Sequence, residues 1–118
     1  MRVQQRMGHW GESVAAEYLV KQGYEILARN VRTAHGEIDI VARQGEALVF
    51  VEVKARASGR FGHPEEAVTL RKQAHILSAA ESYLQEHPEY DTWRVDVVSV
   101  EGQPGKTPQI VHFENVVG

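Results

Sequence analysis

A mixed α/β fold in the order αβββαββ, one central sheet flanked by helices, is what the sequence predicts, and three observations predict it. Apolar residues recur at helical spacing near the start and again before Glu86. Between those stripes, GEIDIVAR and EALVFVEVKAR read as strands joined through Gln44-Gly45. A length of 118 residues suits a single domain, residues 1–118, around one core. One mixed sheet with helices against it is the simplest way to bury both stripes.

The first helix is expected over residues 9–22, because Val14, Ala15, Tyr18 and Leu19 repeat at helical spacing and Gly23 follows as a stop. Tyr24 to Ala28 is a short strand, and RNVRTAHG reads as a polar loop. The two strands of GEIDIVAR and EALVFVEVKAR form a tight hairpin. ASGRFGHP, with two glycines and a proline, is a loop expected to be mobile. A second helix begins between Pro64 and Thr69 and runs to Glu86, with Ile76, Leu77, Ala80, Tyr83 and Leu84 as its apolar stripe. After the breaker HPEYDT, Trp93 to Val100 forms a strand, EGQPGKTP a turn-rich connection, and Gln109 to Val116 a last strand.

Composition excludes several classes of function. Hydrophobic residues make up 42% and charged residues 25%, which is globular composition. The chain has no cysteine, so disulfides, thiolate metal sites and thiol nucleophiles are excluded. The longest apolar run is Ala47 to Val51, too short for a membrane span, and the first residues show no secretory signal. No membrane partner is expected, and a cytoplasmic location is. Neither GxxxxGK[ST] nor GxGxxG occurs, and the six histidines lack HExxH spacing. The net charge of −3 is uneven: residues 1–79 carry +2 and residues 80–118 carry −5, so only local patches are basic. One such patch, from Lys54 to Lys72, surrounds the segment that carries the most chemistry.

In that segment, acids interrupt apolar strands. Strand side chains alternate faces, so Glu52 and Lys54 point the same way, as do Glu37 and Asp39. If the hairpin turns on Gln44-Gly45, Asp39 lies opposite Phe50 with Glu52 on the diagonal; a loop of residues 44–47 sets Asp39 directly opposite Glu52. An odd-length loop separates them. The other face would carry Ile38, Ile40, Ala42, Val49, Val51 and Val53, a continuous apolar surface that supports the same parity. Charge placed in such strands needs compensation. Lys54 paired with one acid is one solution. A divalent cation between Asp39 and Glu52 is another, with Lys54 orienting or activating a metal-held water against a phosphodiester. Asp96 also breaks an apolar strand, and pairing with a cation or a helix end is expected for it. Glu37, at the mouth of its strand, is expected to be exposed.

Asp39 followed by Glu52-Val53-Lys54 resembles the PD-(D/E)XK nuclease signature, and the αβββαββ order resembles that superfamily's restriction-endonuclease-like core. Gly8-His9-Trp10-Gly11-Glu12, Gly23-Tyr24, Arg29-Asn30 with Arg32, GEID, FVEVK with Arg56, and RVDVV together resemble the YraN family of uncharacterised bacterial proteins, from Gly8 to about Val100. The resemblance implies an endonuclease dependent on Mg²⁺ or Mn²⁺, in which Asp39, Glu52 and the Val53 carbonyl bind metal and Lys54 is the catalytic lysine. By analogy with Holliday-junction resolvases of the superfamily, Glu12 adds a carboxylate from the first helix, and branched or damaged DNA is the implied substrate. Ile38 stands where the superfamily's name has proline. Arg29, Arg32, Arg56, Arg60 and Lys72 bracket the site in sequence and are the candidate phosphate contacts. One site per chain cuts one strand, so a homodimer is the expected assembly. The acidic last third motivates the alternative, a non-catalytic nucleic-acid-binding or adaptor module on the same fold.

Overall fold

A computed structural model describes residues 3–57 and 70–116. Its elements follow the expected order: α1 (Val3–Lys21), β1 (Glu25–Thr33), β2 (Gly36–Gln44), β3 (Ala47–Arg56), α2 (Leu70–Glu86), β4 (Trp93–Glu101) and β5 (Gln109–Phe113). The strands form one sheet in the order β1-β2-β3-β4-β5, antiparallel except for the parallel β3–β4 pair. That parallel pair needs a crossover, and α2 supplies it. Among the described residues, no helix is long and apolar enough to cross a membrane.

The two helices cover opposite faces. Ala15 and Leu19 of α1 pack with Tyr24, Ile40, Val49, Val51, Val98 and Val100. Ile76, Ala79 and Ala80 of α2 pack with Val41, Leu48, Phe50, Val95 and Val97. Leu48 to Val51 and Val95 to Val100 are therefore buried on both sides, which explains the unbroken apolar run of the first and leaves Asp96 and Ser99 as buried polar residues in the second. Each fully buried Val, Leu or Phe contributes roughly 1.5–3 kcal/mol. Trp10 and Tyr18 pack against the α1 cluster and Trp93 and Phe113 against the α2 cluster, as partly buried core residues.

Several boundaries differ from the sequence expectation. Helix α1 starts at Val3 rather than residue 9, since Gln4, Gln5, Arg6 and Met7 are good helix formers. RNVRT is strand, not loop: β1 is an edge strand whose exposed side tolerates Arg29 and Arg32, with a bulge between Ile26 and Ala28. The hairpin turns on Gly45-Glu46, one residue later than Gln44-Gly45, because Gly45 takes the left-handed conformation (φ 60°) that the turn requires. Strand β5 ends at Phe113 rather than Val116, where Asn115 turns left-handed (φ 53°) and gives its N–H to Asp96. The onset of the second helix between Pro64 and Thr69, and most of ASGRFGHP with Arg60, lie outside the described residues.

One difference bears on the site. Ile38 packs with Val41, Phe50 and Ile76 on the α2 side, while Ile40 packs with Val49 and Val51 on the α1 side. Residues two apart on a regular strand share a face, so the alternation of β2 slips by one step at Asp39, and Ile38 leaves the apolar face expected for it. The paired strand slips with it, since Ala28 and Val31, three apart, both pack on the α2 side. Between them Asn30, opposite Asp39, adopts φ 54°, which asparagine tolerates better than most residues.

Candidate active site

The site begins where the β2–β3 ladder ends. The last pair is Ile40 with Val51, and one step further Asp39 faces Glu52. There the Asp39 side chain takes over from the backbone: its Oδ2 accepts the Val53 N–H at 2.8 Å. Strand β3 continues along β4, pairing Glu52 with Val97 and Lys54 with Ser99. Glu52 and Lys54 follow Phe50 on the side covered by α2, and Lys72 and His75, one turn apart on α2, act electrostatically on Glu52 together with Lys54. Glu12 arrives from α1 on the other side, with its Oε1 3.5 Å from an Arg29 guanidinium nitrogen.

These carboxyls are held in an unfavourable state. Burial pushes Asp39 up to about 6, against the Val53 N–H that lowers it, and the charges of Glu12, Glu52 and Glu37 push it further in the same direction. Charges from both sides of the sheet, Glu12 on α1 and Glu52 on β3, thus act on Asp39. Burial also raises Glu52, opposed by Lys54, Lys72 and His75. Among the described residues, Glu52 Oε2 is buried without a hydrogen-bond partner and Glu12 Oε1 has only its ion pair with Arg29, although a buried acceptor costs about 1–3 kcal/mol when left unmade.

Glu52 Oε2, with no hydrogen-bond partner among the described residues, and the carboxyl of Asp39 are hard oxygen donors of the type that Mg²⁺ or Mn²⁺ takes. Among the described residues, no three acidic or histidine side chains close on one point as a finished cage. A Mg²⁺-type ion does not need one, because it keeps several waters and takes one or two protein carboxylates.

The predicted phosphate contacts divide into two groups. Lys72 lies within the fields of Lys54 and Arg56, so Lys54, Arg56 and Lys72 gather beside Glu52. Burial first, and then Lys54, pull the Lys72 ammonium down to about 8. Arg29 and Arg32 are instead engaged by acids: Arg29 by Glu12 and the Ser13 hydroxyl, Arg32 by Glu37 at 3.7 Å. Glu37 is exposed, as expected. Two participants escaped the sequence reading. His75 was legible in principle from its three-residue spacing to Lys72 on one helix; the Arg29–Glu12 pair joins two elements and leaves no local signal.

The family model for UPF0102, an uncharacterised protein family, matches residues 11–100. The chain belongs to that family. It is the YraN family to which the ordered motifs point. A UPF0102 protein of Syntrophomonas wolfei is 48% identical over 110 residues, covering 92% of this chain and 95% of the relative. One from Dehalococcoides mccartyi is 46% identical over 113 residues, covering 94% and 92%. One from Parafrankia is 52% identical over 101 residues, covering 85% and 86%. Among solved structures, Pyrococcus furiosus SfsA in complex with Ca²⁺ is similar at 16% identity and a TM-score of 0.41, over 94% of this chain and 63% of that one.

Proposed function

We propose that this protein is a divalent-metal-dependent endonuclease that hydrolyses phosphodiester bonds in DNA, with branched or damaged DNA as its substrate. The observation that carries the reading is the buried Glu52 Oε2, left without a hydrogen-bond partner among the described residues, with the carboxyls of Asp39 and Glu12 near it and a cluster of three cations beside it. Bound there, Mg²⁺ or Mn²⁺ supplies charge neutralisation, polarises a phosphoryl oxygen and lowers the pKa of a coordinated water.

Asp39 and Glu52 would hold the cation, and the Val53 carbonyl, whose residue is tied to Asp39 through its N–H, would be the backbone ligand. Glu12 completes the set from α1. Lys54, two residues from Glu52 on the same strand, would orient the attacking water and offset charge on the phosphoryl oxygens as the P–O bond to water forms and the P–O bond to the sugar oxygen breaks, that oxygen leaving with a proton from solvent. Arg56 and Lys72 grip the flanking phosphates. Arg29 and Arg32, already matched by acids, contribute less, and Arg60 adds to the same patch in sequence. A homodimer would let two such sites cut two strands.

Purified protein is to be incubated with branched, single-stranded and duplex DNA and Mg²⁺ or Mn²⁺. Cleavage is expected to fall by about 10²–10³-fold in Glu52→Ala and Lys54→Ala. Cleavage that persists in both variants would be contamination and would end the proposal. The acidic stretch after residue 79 favours a second reading, a non-catalytic nucleic-acid-binding module. Salt-sensitive DNA binding that survives chelation, with no substrate cut, would select it.

A further inference from the structure

Helix α1 lies tight against β3 at Gly11. A β-carbon built there would stand 2.6 Å from Ala55 Cβ and 3.7 Å from Ala55 Cα and Val53 Cγ1. Two carbons attract at about 3.5–4.0 Å, so the first of these separations is a hard overlap. A strand β-carbon has no rotamer by which to escape. Any residue other than glycine at position 11 must lift the helix from β3 by on the order of 1 Å.

We infer that Gly11 is a positioning residue for the acidic cluster: its missing β-carbon seats α1 on Val53 and Ala55 at the depth that carries Glu12 to Asp39. The inference rests on the metal-dependent reading above. The strand beneath Gly11 is the one that bears Glu52 and Lys54, and Val53 holds Asp39 through its N–H. Glu12 is the next residue along the helix; its side chain is only 14% exposed, and its charge acts on Asp39. Helix depth at Gly11 therefore sets the spacing between carboxyls from the two faces of the sheet. Gly8, on the preceding turn of the same helix, has nothing within 4 Å of its β-position, so close approach is particular to Gly11. Glycine is a poorer helix residue than alanine, and position 11 keeps it against that preference.

The test is Mn²⁺ titration by calorimetry and thermal unfolding on the full chain and on Gly11→Ala, Glu12→Gln, Gly8→Ala, Ala55→Gly and selected double variants. Gly11→Ala is expected to weaken Mn²⁺ binding by about 10-fold or more, the scale on which supporting residues act. Glu12→Gln should lose as much, and adding Gly11→Ala to it should cost nothing further. Ala55→Gly removes the opposing β-carbon, so the Gly11→Ala/Ala55→Gly pair should return to the affinity and melting temperature of Ala55→Gly alone. Gly8→Ala should leave binding unchanged. Wild-type affinity in Gly11→Ala, full additivity with Glu12→Gln, or no rescue by Ala55→Gly would each overturn the inference while leaving the metal site standing. If Gly11→Ala does not fold, the rescue pair decides the packing claim by itself. No Mn²⁺ uptake by the wild-type chain would overturn the metal reading, and the inference with it.

Discussion

Two aspartates interrupt apolar strands in nearly the same local context, Asp39 in EIDIV and Asp96 in RVDVV, and the fold treats them in opposite ways. Asp96 is fully buried and fully partnered. Its Oδ1 accepts from Arg94 Nε and the Asn115 N–H, both at 3.0 Å, and its Oδ2 lies 2.7 Å from His112 Nε2. Burial pulls its carboxyl up, but the hydrogen bonds from His112, Asn115 and Arg94 together outweigh it and hold the group below the usual carboxylate range. Arg94 in turn reaches Tyr24 and Gln44, and His112 meets the Tyr18 hydroxyl, so the ion cluster ties α1, β2, β4 and β5 together. Asp39 has one N–H and three acidic neighbours. A buried acid with its lone pairs matched is structural; one left short of partners in a cluster of acids is a candidate functional group.

The contrast is open to experiment. The largest effect is expected from Asp96→Ala, which strands Arg94 and His112 and should cost about 3–5 kcal/mol in denaturant unfolding. A cost under about 1 kcal/mol would erase the distinction. Because the folded state depresses this carboxyl, its contribution is present above the ordinary carboxylate range and is lost as pH falls through the depressed value.

Asp39→Asn should do the reverse. Burial holds the Asp39 carboxyl at about 6 against an ordinary 3.8, so the fold favours the protonated acid. The stability that this preference contributes is complete below about pH 4 and is lost as pH rises through about 6. Without metal, Asp39→Asn should therefore stabilise the protein by roughly 1–3 kcal/mol at pH 7.5 and leave it unchanged near pH 4. Mn²⁺ should stabilise the wild type at pH 7.5 far more than this variant. Denaturant curves at the two pH values, with and without Mn²⁺, check both signs. Destabilisation at pH 7.5 would make Asp39 a second structural acid.

The smallest effect serves as the control. Arg43 and Glu25 pair across β1–β2 with side chains 45% and 57% exposed. Arg43→Ala should change unfolding free energy by about 0–1 kcal/mol. A larger loss would show that exposed pairs carry more of this sheet than its buried acid cluster implies.

Much of the site was legible because strand parity is local. Glu52 and Lys54 share a side for the same reason that Phe50 and Glu52 do; an even loop was enough to bring Asp39 near Glu52, and the strands adopt the register expected for a loop of residues 44–47. The turn itself was misplaced by one residue, since a one-step shift of a two-residue turn leaves side-chain parity intact. Ile38 was assigned to the wrong face because the slip at Asp39 depends on Asn30 across the ladder, a residue that reads as loop when β1 is judged by polarity alone. His112 lies 16 residues from Asp96 and Arg29 lies 17 from Glu12, and no spacing rule links residues so far apart.

The chain alone determined the order of elements, the buried strands β3 and β4, and the presence of acids where apolar side chains would ordinarily stand, because periodicity and propensity act over a few residues. Which of those acids would be satisfied was decided by tertiary structure. Arg94 is a local partner that Asp39, with Glu37 in the same position, lacks; the other hydrogen-bond partners of a buried carboxylate come from whichever strand, turn or helix the fold brings against it, and the two pentapeptides were given different neighbours.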